Sequence, residues 1–93
     1  MKIIQSEKNT AGKFTTFINE TEVGHMTYSW SGPQKLTILH TEVHSEFGGQ
    51  GIGKKLVLHI AEFARNNKSK IKPMCTYAKA VFDKTPEIQD VLG

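Results

Sequence analysis

The sequence is poor in the residues that staple, break or embed a chain. Its single cysteine, Cys75, excludes an internal disulfide framework and favours a reducing compartment, so a cytoplasmic location is expected. No HxH, HExxH or CxxC spacing occurs, and no metal site is expected. No apolar run approaches the roughly 20 residues that cross a bilayer. Met1–Ile4 leads into mixed polar sequence rather than the apolar stretch of a signal peptide, so no membrane partner is expected. Repeats, linkers and low-complexity tracts are absent as well. A chain of 93 residues supports one core and not two, which points to a single domain over 1–93. Clustered arginine is missing too. The net charge of +3 and pI near 9.1 therefore suit an anionic ligand better than a nucleic acid.

What is present is a change of hydrophobic period half-way along. Lys2–Ser6 reads as a strand and Asn9–Gly12 as a turn. Lys13–Asn19 follows as a second strand, with Phe14, Thr16 and Ile18 alternating against Thr15 and Phe17. Glu20-Thr21 turns the chain into Glu22–Trp30, whose stripe of Met26, Tyr28 and Trp30 suits sheet packing, and Ser31–Gln34 turns it again. Leu36–Val43 is apolar on both alternation faces, the pattern of a central strand covered on both sides. From Ile52, apolar residues recur at helical spacing until Asn66-Asn67. Lys70–Met74 reads as a fifth strand, parallel to the fourth through a right-handed crossover. Tyr77–Lys84 is a second helix, stopped before Pro86. The expected fold class is α+β: a mixed five-stranded sheet, antiparallel through strands 1–4 with strand 5 parallel to strand 4. One helix follows strand 4 and one follows strand 5.

The junction between the two periods carries the chemistry. Gly48-Gly49-Gln50-Gly51-Ile52-Gly53-Lys54-Lys55 links a strand to a helix. Glycines let backbone N–H groups approach an anion, and the helix N-terminus favours negative charge. Two lysines in the first turn oppose the helix dipole unless something negative binds beside them. A glycine-rich turn often merely reverses a chain, but three alternating glycines at this junction, with the lysines, favour a phosphate. The P-loop pattern fails at its last position, where Lys55 stands in place of Ser or Thr. A dinucleotide fingerprint belongs at the first strand of a long α/β chain, whereas Gly49-x-Gly51-x-Gly53 lies after residue 40.

The segment Val43-His44-Ser45-Glu46-Phe47-Gly48-Gly49-Gln50-Gly51-Ile52-Gly53-Lys54-Lys55-Leu56 resembles the acyl-CoA pyrophosphate loop of the Gcn5-related N-acetyltransferase (GNAT) superfamily. The superfamily pattern is V-x-x-x-[YF]-[RQ]-G-x-G-[IV]-G-x-x-L. Downstream, Pro73-Met74-Cys75 and Pro86-Glu87-Ile88-Gln89-Asp90-Val91-Leu92 resemble the P-x-C segment and terminal P-E-Y-x-D-[LV]-[LV] of a compact single-domain branch. The resemblance covers about the last half of the chain. Gly48 replaces the usual Arg or Gln, and Ile88 the usual aromatic.

The resemblance implies acetyl transfer from acetyl-CoA to a primary amine on a protein, polyamine or small molecule. Strands four and five splay in that superfamily, so Thr41, Glu42 and Val43 are expected beside the pantetheine arm. Gly48, Gly49, Gln50, Gly51, Ile52, Gly53 and Lys54 are expected around the pyrophosphate, with Lys55 steering the adenosine phosphates. A backbone N–H near Val43 is placed to stabilise the thioester oxyanion. Cys75 matches the family cysteine, as a leaving-group acid or as a transient acetyl acceptor, although a lone cysteine is often just a small buried hydrophobe. Tyr77 stands where many relatives place a tyrosine acid. His40, Glu42 and His44 are the candidates for the base, each with an ordinary structural reading beside it. His25 and His59 read as ordinary sheet or surface positions, and Arg65, Lys68, Lys70 and Lys72 as a solvated basic patch. The alternative is a CoA-binding or protein-interaction module of the same fold with weak turnover.

Overall fold

A computed structural model describes all 93 residues. Four strands, β1 (Lys2–Lys8), β2 (Ala11–Ile18), β3 (Thr21–Gly32) and β4 (Lys35–Val43), form an antiparallel meander. Helix α1 (Ile52–Asn66) then carries the chain to β5 (Lys70–Pro73), which lies parallel to β4 at the sheet edge. Helix α2 (Thr76–Lys84) follows. This is the expected topology, in the order β1-β2-β3-β4-β5. The hairpin at Asn19-Glu20 places both residues at positive φ, 50° and 69°, the twist that a two-residue connection between strands requires.

One face of the sheet is dry. Phe14 and Thr16 of β2, Met26 and Tyr28 of β3, and Leu36 and Ile38 of β4 are fully buried. All of these but Thr16, a buried polar residue, share one core of 17 buried apolar residues with the Leu56–Ala64 stripe of α1, with Ala78 and Phe82 of α2, and with Ile88 and Val91. The opposite face has no helix on it, contrary to the expectation that β4 is covered on both sides. The apparent two-sided apolarity of β4 has a different cause. Tyr28 pairs with Ile38 but Thr27 pairs with His40, so Leu39 is an extra residue in a β-bulge. The bulge moves the inward phase from Leu36 and Ile38 to Thr41 and Val43, and Leu39 itself is exposed.

The C-terminal segment is not a loose tail. Pro86–Val91 winds into a 3₁₀ helix, and Gly93 donates its N–H to the Ile71 carbonyl at 3.2 Å, beyond β5. Arg65, at the end of α1, grips Asp90 with both forks of its guanidinium (3.0 and 2.7 Å). It also donates to the Glu87 carbonyl at 3.1 Å, and the Lys70 ammonium donates to the Asp90 carbonyl at 2.6 Å. Two members of the expected solvated basic patch are therefore committed to holding this segment. The Arg65 guanidinium keeps the Asp90 carboxyl below its usual range.

Candidate functional site

The site begins where β4 and β5 part. They are paired from Lys35 opposite Lys70 to Ile38 opposite Pro73. Both Met74 and Cys75 then donate their N–H groups to the Ile38 carbonyl (3.1 and 3.2 Å), and the chain turns into α2 while β4 continues to Val43. The His44 N–H bonds to Val23 on the β3 side, at 2.9 Å. Backbone groups alternate direction along a strand, so Thr41 and Val43 turn theirs toward the gap that β5 has vacated. Backbone groups there want a partner. The Thr41 hydroxyl is also buried without a hydrogen bond.

A cleft of about 270 Å³ fills this gap. Thr41 and Val43 form one wall, Phe47 and Tyr77 flank it, and Gly48, Gly49, Ile52 and Gly53 close its end. The glycine loop is shaped for close approach. Gly49 and Gly51 have φ of +83° and +73°, and a side chain on either would meet open space. Gly51 caps α1 with no side-chain partner, and the first intrahelical bond is from Lys55 N–H to Gly51 O at 3.0 Å. The N–H groups from Gly51 to Lys54 are thus uncommitted at the positive end of the dipole, with no acidic side chain in the first turn. Gly48 needs no special conformation (φ −62°), although a Cβ there would sit 3.3 Å from the Ser45 carbonyl. Gly53 is required for another reason: the Tyr77 ring lies over it, and a Cβ would meet the phenol oxygen at 2.6 Å. An open cradle of N–H groups beside an unpaired strand edge fits a phosphate-bearing ligand with an amide-containing arm.

Cys75 is half-buried at the N-cap of α2. Burial alone would push its thiol up. The N–H of Ala78, the Thr41 hydroxyl, and the N–H groups of Tyr77 and Thr41 outweigh that and hold it below the ordinary value. The Thr41 hydroxyl has no other partner, so it is free to turn toward a thiolate.

The structure therefore gathers Thr41, Val43, Gly48, Gly49, Ile52, Gly53 and Tyr77 around one cleft, with Cys75 against Thr41. Gln50, Gly51, Lys54 and Lys55 lie on the exposed rim of the loop. His44 is exposed at the start of the Ser45–Phe47 turn. His40 and Glu42 pair with Thr27 and His25, which puts them on the open face of the sheet rather than among the cleft-lining residues. His25 is less ordinary than its sequence context suggests, with Nδ1 3.9 Å from Glu22 and Nε2 3.8 Å from Glu42. Only the strand register, which sets His25 opposite Glu42, reveals that grouping. Phe47 is a second wall residue that the sequence reading left without a role. A larger recess of about 480 Å³ lies at the other end of the sheet, among Met1, Ile4 and Phe17, and brings together no comparable set of donors.

The sequence matches the family model for GCN5-related N-acetyltransferases over residues 13–91. No curated protein matches it. Among solved structures, a GCN5-like protein from Staphylococcus aureus, provisionally described as an N-acetyltransferase, is 35% identical with a TM-score of 0.77. That similarity covers 99% of this chain and 87% of the other. The ribosomal-protein-alanine N-acetyltransferase from Brucella melitensis shares the fold at 17% identity and TM-score 0.73, over 83% of this chain and 62% of its own. Tetrahymena GCN5 shares it at 12% identity and TM-score 0.70, over 83% and 51%. The chain thus spans about half to two thirds of these larger proteins.

Proposed function

Because the chain belongs to the GCN5-related N-acetyltransferase family, we propose that it transfers an acetyl group from acetyl-CoA to a primary amine, with the pyrophosphate held by the Gly48–Lys54 loop. The observation that carries this reading is the gap beyond Ile38 and Pro73, which sets an unpaired β4 edge between an anion-ready loop and a half-buried thiol. In the direct route the neutral amine attacks the thioester carbonyl and the C–S bond breaks. The departing thiolate takes a proton and a base accepts the proton lost by nitrogen. Backbone N–H groups of β4 near Val43 are the donors for the oxyanion. Tyr77, on the cleft wall, and Cys75 are the acids within reach. His40, Glu42 and His44, at the same end of β4, are the bases that an acceptor arriving from the open face would meet.

In the covalent route the Cys75 thiolate attacks first. CoA leaves as thiol, and the amine then takes the acetyl group from sulfur and regenerates Cys75. The lowered Cys75 pKa supports this route. The test is release of CoA thiol from acetyl-CoA with and without polyamines or lysine-containing peptides. Amine-dependent release above the buffer rate is expected, and its absence in a protein that binds CoA would sink the catalytic reading. Intact-protein mass separates the routes: one acetyl group, absent from Cys75→Ala, marks the covalent one.

One observation favours the second reading, a CoA-binding module without turnover. Only the turn at Asn9-Thr10 joins β1 to β2, so nothing covers the face where an acceptor would be held. Net charge and the reducing chemistry of a free thiol suit a cytoplasmic protein in either case.

A further inference from the structure

The open face of the sheet carries one cluster that the cleft does not account for, and two β-bulges build it. Between β2 and β3 the register shifts, so that Thr16 pairs with Gly24 but Phe17 with Glu22. Val23 is the extra residue, and it turns into the core. Glu22 and His25, three positions apart, would fall on opposite faces of a regular strand, but the bulge brings them to the same side. On β4 the bulge at Leu39 sets Glu42 opposite His25 on that side too. The result is a histidine between two carboxylates, with Nδ1 3.9 Å from Glu22 and Nε2 3.8 Å from Glu42.

The three side chains differ in access. Glu42 is 70% exposed and His25 only 24%, and Nδ1 of the ring is buried without a hydrogen-bond partner. Neither carboxylate is paired with a lysine or arginine. Thr15 of β2 lies directly opposite His25. The other titratable groups of this face nearby are Lys13 of β2 and His40 of β4, both opposite Thr27, and Lys2 of β1, opposite Phe17. Both gaps around the ring are about 1 Å longer than a hydrogen bond, a distance that a mobile glutamate side chain closes. Glutamate by itself is an inefficient base at neutral pH, whereas imidazole is matched to it.

We infer that His25 is a positioning residue for acetyl transfer, acting through Glu42 to draw the proton from a cationic acceptor amine. The inference rests on the reading that this chain is an acetyltransferase whose acceptor arrives from the open face. Beyond Ile38 no β5 residue flanks β4, so Thr41 and Val43 border the cleft while Glu42 stands on the other face at the same point of the strand. The amine arrives as an ammonium and must be neutral to attack the thioester. Glu42 accepts its proton and hands it to Nε2 of His25. The imidazolium, held between two carboxylates, then releases a proton to water by way of Glu22.

The test is acetyl transfer from acetyl-CoA to spermidine and to a lysine-containing peptide, followed across pH for the wild type, His25→Gln and Glu22→Gln. More of the amine arrives neutral as pH approaches its own pKa, about 10.4 for a lysine side chain, and the relay then matters less. His25→Gln should lower kcat roughly tenfold at about pH 7 but no more than about twofold at about pH 9.5, with KM for acetyl-CoA unchanged. Glu22 is 42% exposed, so Glu22→Gln is expected to fold normally, as circular dichroism would check. It should show the same pH-dependent loss, about threefold at about pH 7. A merely structural role would give a loss that does not change with pH. A loss of equal size at both pH values, or no loss, in either variant would overturn this inference and leave acetyl transfer standing. No transfer by the wild type to either acceptor at any pH would overturn the transferase reading and the inference with it.

Discussion

At the smallest scale the proposed function rests most heavily on two residues. For Cys75, burial alone would raise the pKa, but the N–H groups at the start of α2 and the Thr41 hydroxyl hold it below the ordinary value. Its rate of alkylation by iodoacetamide should therefore rise with pH to a midpoint below the ordinary thiol value of 9.0. Thr41→Val should move that midpoint upward. A midpoint at or above 9.0 in the wild type would remove the case for an activated cysteine. Gly51 works through what it leaves out. It supplies left-handed backbone at the cap of α1 and leaves its N–H open to solvent. Gly51→Asn and Gly51→Asp should each cost about 1 kcal/mol of folding stability, since short polar side chains tolerate this conformation best. The aspartate alone adds a negative charge against the phosphate. CoA affinity should accordingly fall at least roughly tenfold further in Gly51→Asp than in Gly51→Asn, as measured by calorimetry.

At the scale of elements, the sequence showed the strands, both helices and the loop, because each is written in a local period or a turn signal. It did not show how β4 changes face. Leu36 and Ile38 point inward, and so do Thr41 and Val43, and a reader of alternation alone takes this for two-sided burial. The register against β3 exposes Leu39 as the extra residue. The positions of His40 and Glu42 on the open face were hidden for the same reason, since which face a residue takes after a bulge depends on a neighbouring strand. The C-terminal segment was legible as a motif but not as a structure: the meaning of Asp90 lies in Arg65, twenty-five positions earlier in the chain. The bulge has a consequence for binding. Bulges bend a strand, and this one sits where β4 leaves β5. Deleting Leu39 keeps every later residue on its face but restores a regular ladder. The protein should remain folded, with its melting temperature within a few degrees of wild type, and lose CoA affinity by at least about tenfold. An unaltered affinity would mean that the gap does not depend on the bend.

At the scale of the whole molecule, a small domain must seal its core with few residues, and polar groups do part of that work here. The Tyr28 ring fills the sheet face beside Phe14 and Phe63, and Gly12 is a glycine because a Cβ would strike that ring. The phenol donates to Glu7 at 2.7 Å and accepts from Gln5 at 2.6 Å, while the Trp30 indole donates to the same Glu7 oxygen at 2.9 Å. Burial first, and then the Glu7 carboxylate acting against Gln5, push the Tyr28 pKa up to about 12. An acid whose pKa is raised by folding holds its proton more tightly in the folded chain. Its contribution to stability is therefore complete below pH 10.0 and is lost as pH climbs from there toward about 12. Denaturant midpoints measured across that window should fall more steeply for the wild type than for Tyr28→Phe, and parallel curves would count against the network. The same end of the molecule is closed by a two-residue turn, so the cleft between β4 and β5 is the feature on which the proposed function turns. A chain of 10.4 kDa can be followed amide by amide, and the most direct measurement is a two-dimensional ¹H–¹⁵N titration with CoA. The account expects the largest shifts at Thr41–Val43, at Gly48–Lys55 and at Cys75–Tyr77, where the gap, the loop and the thiol meet. Shifts confined to the recess at Met1, Ile4 and Phe17, or no shifts at all, would contradict it.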